Sequence, residues 1–147
     1  MSVFGSLKIS ASSLFAQRLR MDVIANNVAN VNSTRGEDGQ AYRRQSVVFR
    51  EQGQVASFDN LLGRATGRTA AGGVEVTEIH RDRSAPRRVH EPTHPDADAE
   101  GYILLPNVDV VTEMTDLVSA SRAYQASTTV INATKSIAQS ALSIGRR

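Results

Sequence analysis

Cysteine is absent from this chain, which removes disulfide frameworks, thiolate nucleophiles and thiolate metal sites together, and leaves the redox compartment unmarked by thiols. Long apolar runs are missing too. No stretch of eighteen apolar residues occurs, and the first twenty, MSVFGSLKISASSLFAQRLR, hold no unbroken apolar segment behind a basic start. Neither a membrane-spanning helix nor a cleaved secretory signal is expected. Charge of one sign is also scarce: 17 Lys and Arg against 15 Asp and Glu leave a net of +2. Despite a pI near 9.4, that excess makes no field strong enough to imply a nucleic-acid partner.

The ends lack what the middle has. All four prolines, Pro86, Pro92, Pro95 and Pro106, and eight of the ten glycines fall between Arg35 and Asn107. Turns must concentrate there. The same stretch carries 11 of the 15 acidic residues and 10 of the 17 basic ones, which marks it as the solvated part. From Ala123 to Gly145 the only charge is Lys135. Gln125, Asn132, Gln139 and many Ser and Thr nevertheless make that segment too polar for lipid.

What is there is helical periodicity at both ends. Leu7, Leu14, Met21 and Val28 recur by sevens, with Ala11 and Ala25 beside them and Arg18 interrupting, so a helix is predicted from about Ser6 to about Asn30. The run ANNVANVNSTRG ends it, since Asn tolerates left-handed backbone and bonds locally. At the other end Val110, Leu117, Tyr124, Ile131 and Ala138 recur by sevens. Met114 and Leu142 take d-like places, and Val130, Ile137 and Ile144 widen the apolar face. A helix from about Asp109 to Ser143, capped by Asp109 and stopped at Gly145, would reach roughly 50 Å.

Small strands are predicted in the middle: YRRQSVVF (Tyr42–Phe49), GVEVTEI (Gly73–Ile79) and GYILLP (Gly101–Pro106), rich in β-branched or aromatic residues and bounded by Gly or Pro. The weakly periodic run from Gln52 to Ala71 reads as a flexible loop. The fold class is therefore mainly α, two long terminal helices in an antiparallel coiled-coil-like pair with a small β-rich middle module. Its divisions are 1–34 (N-terminal helix and Asn-rich turn), 35–107 (middle module, loop 52–72) and 108–147 (C-terminal helix). An isolated surface helix turns Lys, Glu and Arg outward. The last 25 residues present Ser, Thr, Ala, Asn and Gln instead, which suits burial against neighbouring subunits, where a charge would be costly.

Chemistry finds little foothold. His90 and His94, with Asp96, Asp98 and Glu100, sketch a divalent-metal loop, but Pro92 and Pro95 forbid the helix that would align i, i+4 ligands. Arg81, Arg83, Arg87 and Arg88 form a basic cluster diluted by Asp82 and without interleaved aromatics for base stacking. No nucleophile elbow, phosphate loop of GxxxxGK type or HExxH stands anywhere. The expectation is no catalytic residue, no cofactor and no metal. A different helical adaptor or coiled-coil module, and a metal-dependent binding protein, are the readings of other classes.

Three stretches resemble a known family. GYILLPNVDVVTEMTDLVSASRAYQA (Gly101–Ala126) and ANNVANVNST are similar to the signatures of the flagellar axial rod proteins, as is YRRQSVVF with GQ (Gly39, Gln40) before it. The residues carrying the likeness are Asn26, Asn27 and Asn30, then Pro106, Asn107, Val108, Asp109, Glu113, Met114, Arg122, Tyr124 and Gln125. Ser127 departs from the family's usual Asn, and the 52–71 run is longer than usual. The chain's length and its GYILLPNVD segment favour a proximal-rod subunit over distal-rod or hook subunits, which have larger middle domains. The resemblance implies a non-enzymatic subunit exported by the flagellar type III apparatus without signal cleavage, in a hollow rod spanning the periplasm. Its implied partners are copies of itself, other rod proteins and the adaptor joining rod to basal ring, with no nucleic acid and no direct membrane insertion. On the combined reading, the subunit interface is formed by Leu7, Leu14, Met21, Val28, Val110, Met114, Leu117, Tyr124, Ile131, Ala138 and Leu142.

Overall fold

The computed structural model describes residues 3–36, 39–52 and 72–145. The predicted loop at 52–72 falls almost wholly outside them. In chain order the elements are α1 (Val3–Ala29), β1 (Gln45–Gln52), β2 (Gly73–Arg81), β3 (Arg87–His90), β4 (Tyr102–Leu105) and α2 (Val110–Ile144).

Helix α1 ends where its asparagines accumulate. The Asn30 side chain donates to the Asn26 carbonyl at 2.9 Å, a second bond beside the one from the Asn30 N–H at 3.1 Å, while Ser33 Oγ donates to Asn30 Oδ1 at 3.1 Å. Helix α2 begins at Asp109, whose Oδ1 accepts from the Val111 N–H at 3.0 Å and whose Oδ2 accepts from Thr112 Oγ1 at 2.8 Å. These bonds, that from the Thr112 hydroxyl foremost, hold the Asp109 carboxyl below the usual carboxylate range. Gly145 ends α2 in right-handed geometry, its N–H bonded to the Ala141 carbonyl.

The strands make two separate antiparallel pairs. In the first, Gln45 lies opposite Arg81 and Gln52 opposite Gly73, with a register shift between Val48 and Phe49. In the second, Arg87 lies opposite Leu105 and His90 opposite Tyr102. The second hairpin turns on Gly101, at φ 80°, where a side chain would be strained. Asp98 Oδ1 braces that turn by accepting from the Glu100 and Tyr102 N–H groups.

Helix α1 packs against α2 on one side and against the β1–β2 hairpin on the other. The hairpin side is close. Ser12 Oγ accepts from the Val74 N–H at 3.1 Å and donates to the Ile9 carbonyl at 2.7 Å. A β-carbon on Gly73 would stand 2.6 Å from that oxygen. The two helices run antiparallel: Ser13 meets Ser127, Arg20 meets Asp116 and Asn27 meets Glu113. Along α2 the buried and half-buried residues include Glu113, Leu117, Ala120, Tyr124, Ser127, Ile131, Thr134 and Ala138, a three–four alternation on one side.

Apolar burial is thin. Among the described residues, Ala16, Val23, Ile24, Ile103, Leu105, Val108 and Ala120 are the buried hydrophobic ones, yet the largest fully buried side chains are Glu113, Asn27 and Pro106. Along α2 several hydroxyls are bonded to the helix's own backbone: Thr115, Ser127, Thr128, Thr129 and Thr134 each donate to the carbonyl four residues earlier. No helix among the described residues is long and apolar enough to cross a membrane.

Candidate functional site

A polar cluster joins α1, α2 and the start of β1. Asn27 comes from the last turns of α1 and is fully buried. Its Oδ1 accepts from the Gln45 N–H at 2.9 Å and from the Tyr42 hydroxyl at 2.8 Å. Its Nδ2 donates to the Gln45 carbonyl at 2.8 Å and to Glu113 Oε2 at 3.0 Å. Both lone pairs and both protons of the amide are thereby used.

Glu113, on the first turn of α2, is 1% exposed. Its Oε1 accepts from Arg44 Nε at 2.6 Å. Arg44 lies 3.8 Å from Asp116, which accepts from Arg20 of α1 at 3.1 Å. A buried carboxylate is tolerable only when paired and hydrogen-bonded, and Glu113 is both. Burial, and next the Glu113 carboxylate, push the Tyr42 phenol above its ordinary value, which keeps its proton available to Asn27. The cluster fixes backbone and helix positions. Among the described residues it offers no nucleophile, and its acid is already engaged.

A cavity of about 620 Å³ opens beside it, between the 34–44 segment, the turn after β2 and the β3–β4 hairpin. Its charges are largely spoken for: Arg35 pairs with Asp96 at 3.1 Å, Arg88 with Asp98 and Glu100 at 3.4 and 3.3 Å, and Arg88 lies 4.5 Å over the Tyr102 ring. Asp82 is bonded by Ser84, whose hydroxyl leads in holding that carboxyl below the usual range. In the sequence-derived metal loop, His94 Nδ1 accepts from the Asp96 N–H and the His90 ring meets Tyr102 edge-on. Among the described residues no three His, Asp or Glu converge on a point.

The expected interface residues divide in the single chain. Leu7, Leu14, Met21, Val28, Val110, Leu117, Tyr124, Ile131 and Ala138 are half-buried. Met114 and Leu142, taken as d-like, are 57% and 70% exposed. The positions that complete the alternation toward α1 are Glu113, Ala120, Ser127 and Thr134. Of the motif residues, Asn27, Glu113, Pro106, Val108 and the capping Asp109 form or flank the cluster and the start of α2. Asn26 and Asn30 close α1, while Asn107, Arg122 and Gln125 are exposed. Tyr42, Arg44, Gln45, Arg20 and Asp116 belong to the cluster without having been singled out for it. Their signals were the family-like run YRRQSVVF, which holds Tyr42, Arg44 and Gln45, and the charges of Arg20 and Asp116 inside otherwise charge-poor helices.

Family comparison agrees with the ends of this architecture. Residues 7–36 match the model for the flagella basal body rod protein, and residues 99–144 match that for the flagellar basal body rod FlgEFG protein C-terminal region. The chain is similar to the flagellar basal-body rod protein FlgC of Bacillus subtilis, 45% identical over 99% of this chain and 100% of the relative. To FlgC of Borreliella burgdorferi it is 42% identical over 98% of each, and to that of Salmonella typhimurium 41% identical over 99% and 100%.

Proposed function

This chain belongs to the FlgC family of flagellar basal-body rod proteins and is a structural subunit of the rod, and from that premise we propose that it polymerises helically through its terminal helices into a hollow shaft. The shaft transmits torque and lets export substrates pass. Within the subunit the helices pair in coiled-coil-like fashion, and the divisions 1–34, 35–107 and 108–147 act as helix, middle module and helix. Copies of the chain meet along the helices, through the eleven interface residues read from the sequence and through the exposed apolar residues beside them.

The observation that carries this reading is the surface of α2. Val111, Met114 and Val118 are 73%, 57% and 51% exposed on its first turns, and Val130, Ile137, Leu142 and Ile144 continue exposed to its end. A lone subunit gains nothing from such exposure, whereas a neighbouring helix would cover it. Other rod proteins, the adaptor to the basal ring and the type III export apparatus are the further partners. The rod spans the periplasm, the subunit is exported without signal cleavage, and the chain acts without catalysis, cofactor, nucleic acid or membrane insertion.

The test is Ile137→Asp. The side chain is exposed in the subunit, so the purified variant should keep its helicity and melting temperature. An unpaired carboxylate buried between subunits would cost several kcal/mol, and assembly should fail. Cells should export the subunit yet build no hook or filament. His94→Ala and Arg87→Ala, in the middle region, should swim nearly normally. Normal swimming by Ile137→Asp, with motility lost in His94→Ala, would sink the proposal.

A further inference from the structure

Helix α2 could slide along α1 and still find similar partners. Its inward positions alternate by three and four. A shift of seven residues would replace Leu117 by Tyr124, Ala120 by Ser127 and Ser127 by Thr134. Small side chains follow small ones at two of these places and one large apolar body follows another at the third, so packing alone discriminates weakly between the two alignments.

Apolar burial separates them no better. With Ser13 opposite Ser127 and Asn27 opposite Glu113, the antiparallel alignment carries Val3 to the level of Ile137. The last turns of α2 therefore run past the start of α1, leaving Leu142 and Ile144 70% and 76% exposed. A shift of seven residues, roughly 10 Å of translation at 1.5 Å per residue, would bring Ile144 level with Val3, into the place where Ile137 is 64% exposed, and would carry the half-buried Val110 and Leu117 toward or past the end of α1 in exchange. The ladders themselves raise little obstacle, because β3–β4 shares none with β1–β2; its connecting loop is held to the segment after α1 by Asp96, which accepts from Thr34 Oγ1 at 2.8 Å and pairs with Arg35.

We infer that Asn27, Glu113 and Arg44 form a register lock, which holds α2 in the alignment that leaves its last two turns unpaired. In the shifted alignment Ala120 would stand at Asn27, the amide would lose its carboxylate acceptor, and Glu113 would be drawn away from Asn27 and Arg44. A polar cluster buried among apolar contacts penalises every register but its own, which is the best-attested use of such groups.

The absence of cysteine makes a direct test available in the full chain. One reporter pair is Ser13→Cys with Ser127→Cys, whose hydroxyl oxygens lie 2.9 Å apart. The other is Ser13→Cys with Thr134→Cys, one heptad on. In the native background, mild oxidation should close the 13/127 pair and leave 13/134 largely open. In a Glu113→Leu, Arg44→Leu background, which replaces the charged pair by apolar volume, the ratio of 13/134 to 13/127 closure should rise at least about tenfold. An unchanged ratio, or equal closure of both pairs as in a urea-unfolded chain, overturns the inference. Should the double-leucine chain not hold its helices, Glu113→Gln carries the same comparison. It keeps the side-chain shape and weakens only the charged bond to Arg44, and an unchanged ratio there overturns the inference equally.

Discussion

Asn27 in α1 and Gln45 at the head of β1 exchange the two hydrogen bonds of a β-bridge, with the asparagine amide standing in for a strand. Nδ2 donates to the Gln45 carbonyl at 2.8 Å, and Oδ1 accepts from the Gln45 N–H at 2.9 Å. A helix side chain thus satisfies the backbone of the first residue of the sheet, in a place where water has no access to the amide.

Asn27→Ala should therefore lower stability by about 3 kcal/mol, since it leaves the Gln45 backbone and Glu113 short of partners in a buried place. Asn27→Asp should be worse at neutral pH, because it sets a second carboxylate against Glu113 and loses both amide protons. Its deficit should shrink as the pH is lowered into the carboxylate range. Urea unfolding of both variants at two pH values measures this, and an aspartate as stable as asparagine at neutral pH would contradict it.

The α2 cap predicts an acid response. The Asp109 carboxyl titrates below its unfolded value, so the cap's contribution is complete above about pH 4 and is lost as the pH falls through the lower folded value. Asp109→Asn keeps the capping geometry and removes the titration. From about pH 5 down to about pH 2.5 the melting temperature of the variant should fall less than that of the parent. Asp82 and Asp98, whose carboxyls are likewise depressed, keep part of the slope in both chains.

Close contact between α1 and β2 gives a third expectation. Because a β-carbon on Gly73 would lie 2.6 Å from Ser12 Oγ, and that oxygen is held by two hydrogen bonds, Gly73→Ala should cost about 1–3 kcal/mol. Ser12→Ala removes the obstructing atom and leaves a 3.3 Å contact to its β-carbon. The double variant should then lose less than the sum of the single losses, and strict additivity in thermal melts would count against the contact.

The helices were legible in the sequence because breakers avoid them and their apolar residues recur by sevens. The a-type positions of α2, from Val110 to Ala138, could be read for that reason. The alternate positions could not: Glu113, Ala120, Ser127 and Thr134 keep the period but not the hydrophobicity, so Met114 and Leu142 drew the eye instead. Strand β3, Arg87–His90, was missed because two arginines and a histidine carry no strand pattern, and its pairing with β4 supplies the order. Strand β1 begins at Gln45 and not at Tyr42. Residues 42 and 44 are occupied as side chains in the buried cluster, and Arg44 in the loop before β1 meets Glu113 across 69 residues of chain, a partnership that local pattern does not encode.

The hydroxyls of α2 change what its composition means. Five of them donate to carbonyls one turn back in their own helix, so their protons do not look outward for a partner. Those five hydroxyls meet water only through their acceptor oxygens, while the amides of Gln125, Asn132 and Gln139 stay exposed beside them. Stripping that water away strands none of those five donors and costs far less than stripping a face of amides or ammonium groups would. For those five donors, dehydration, the step that makes most polar groups resist contact, is completed when the helix folds.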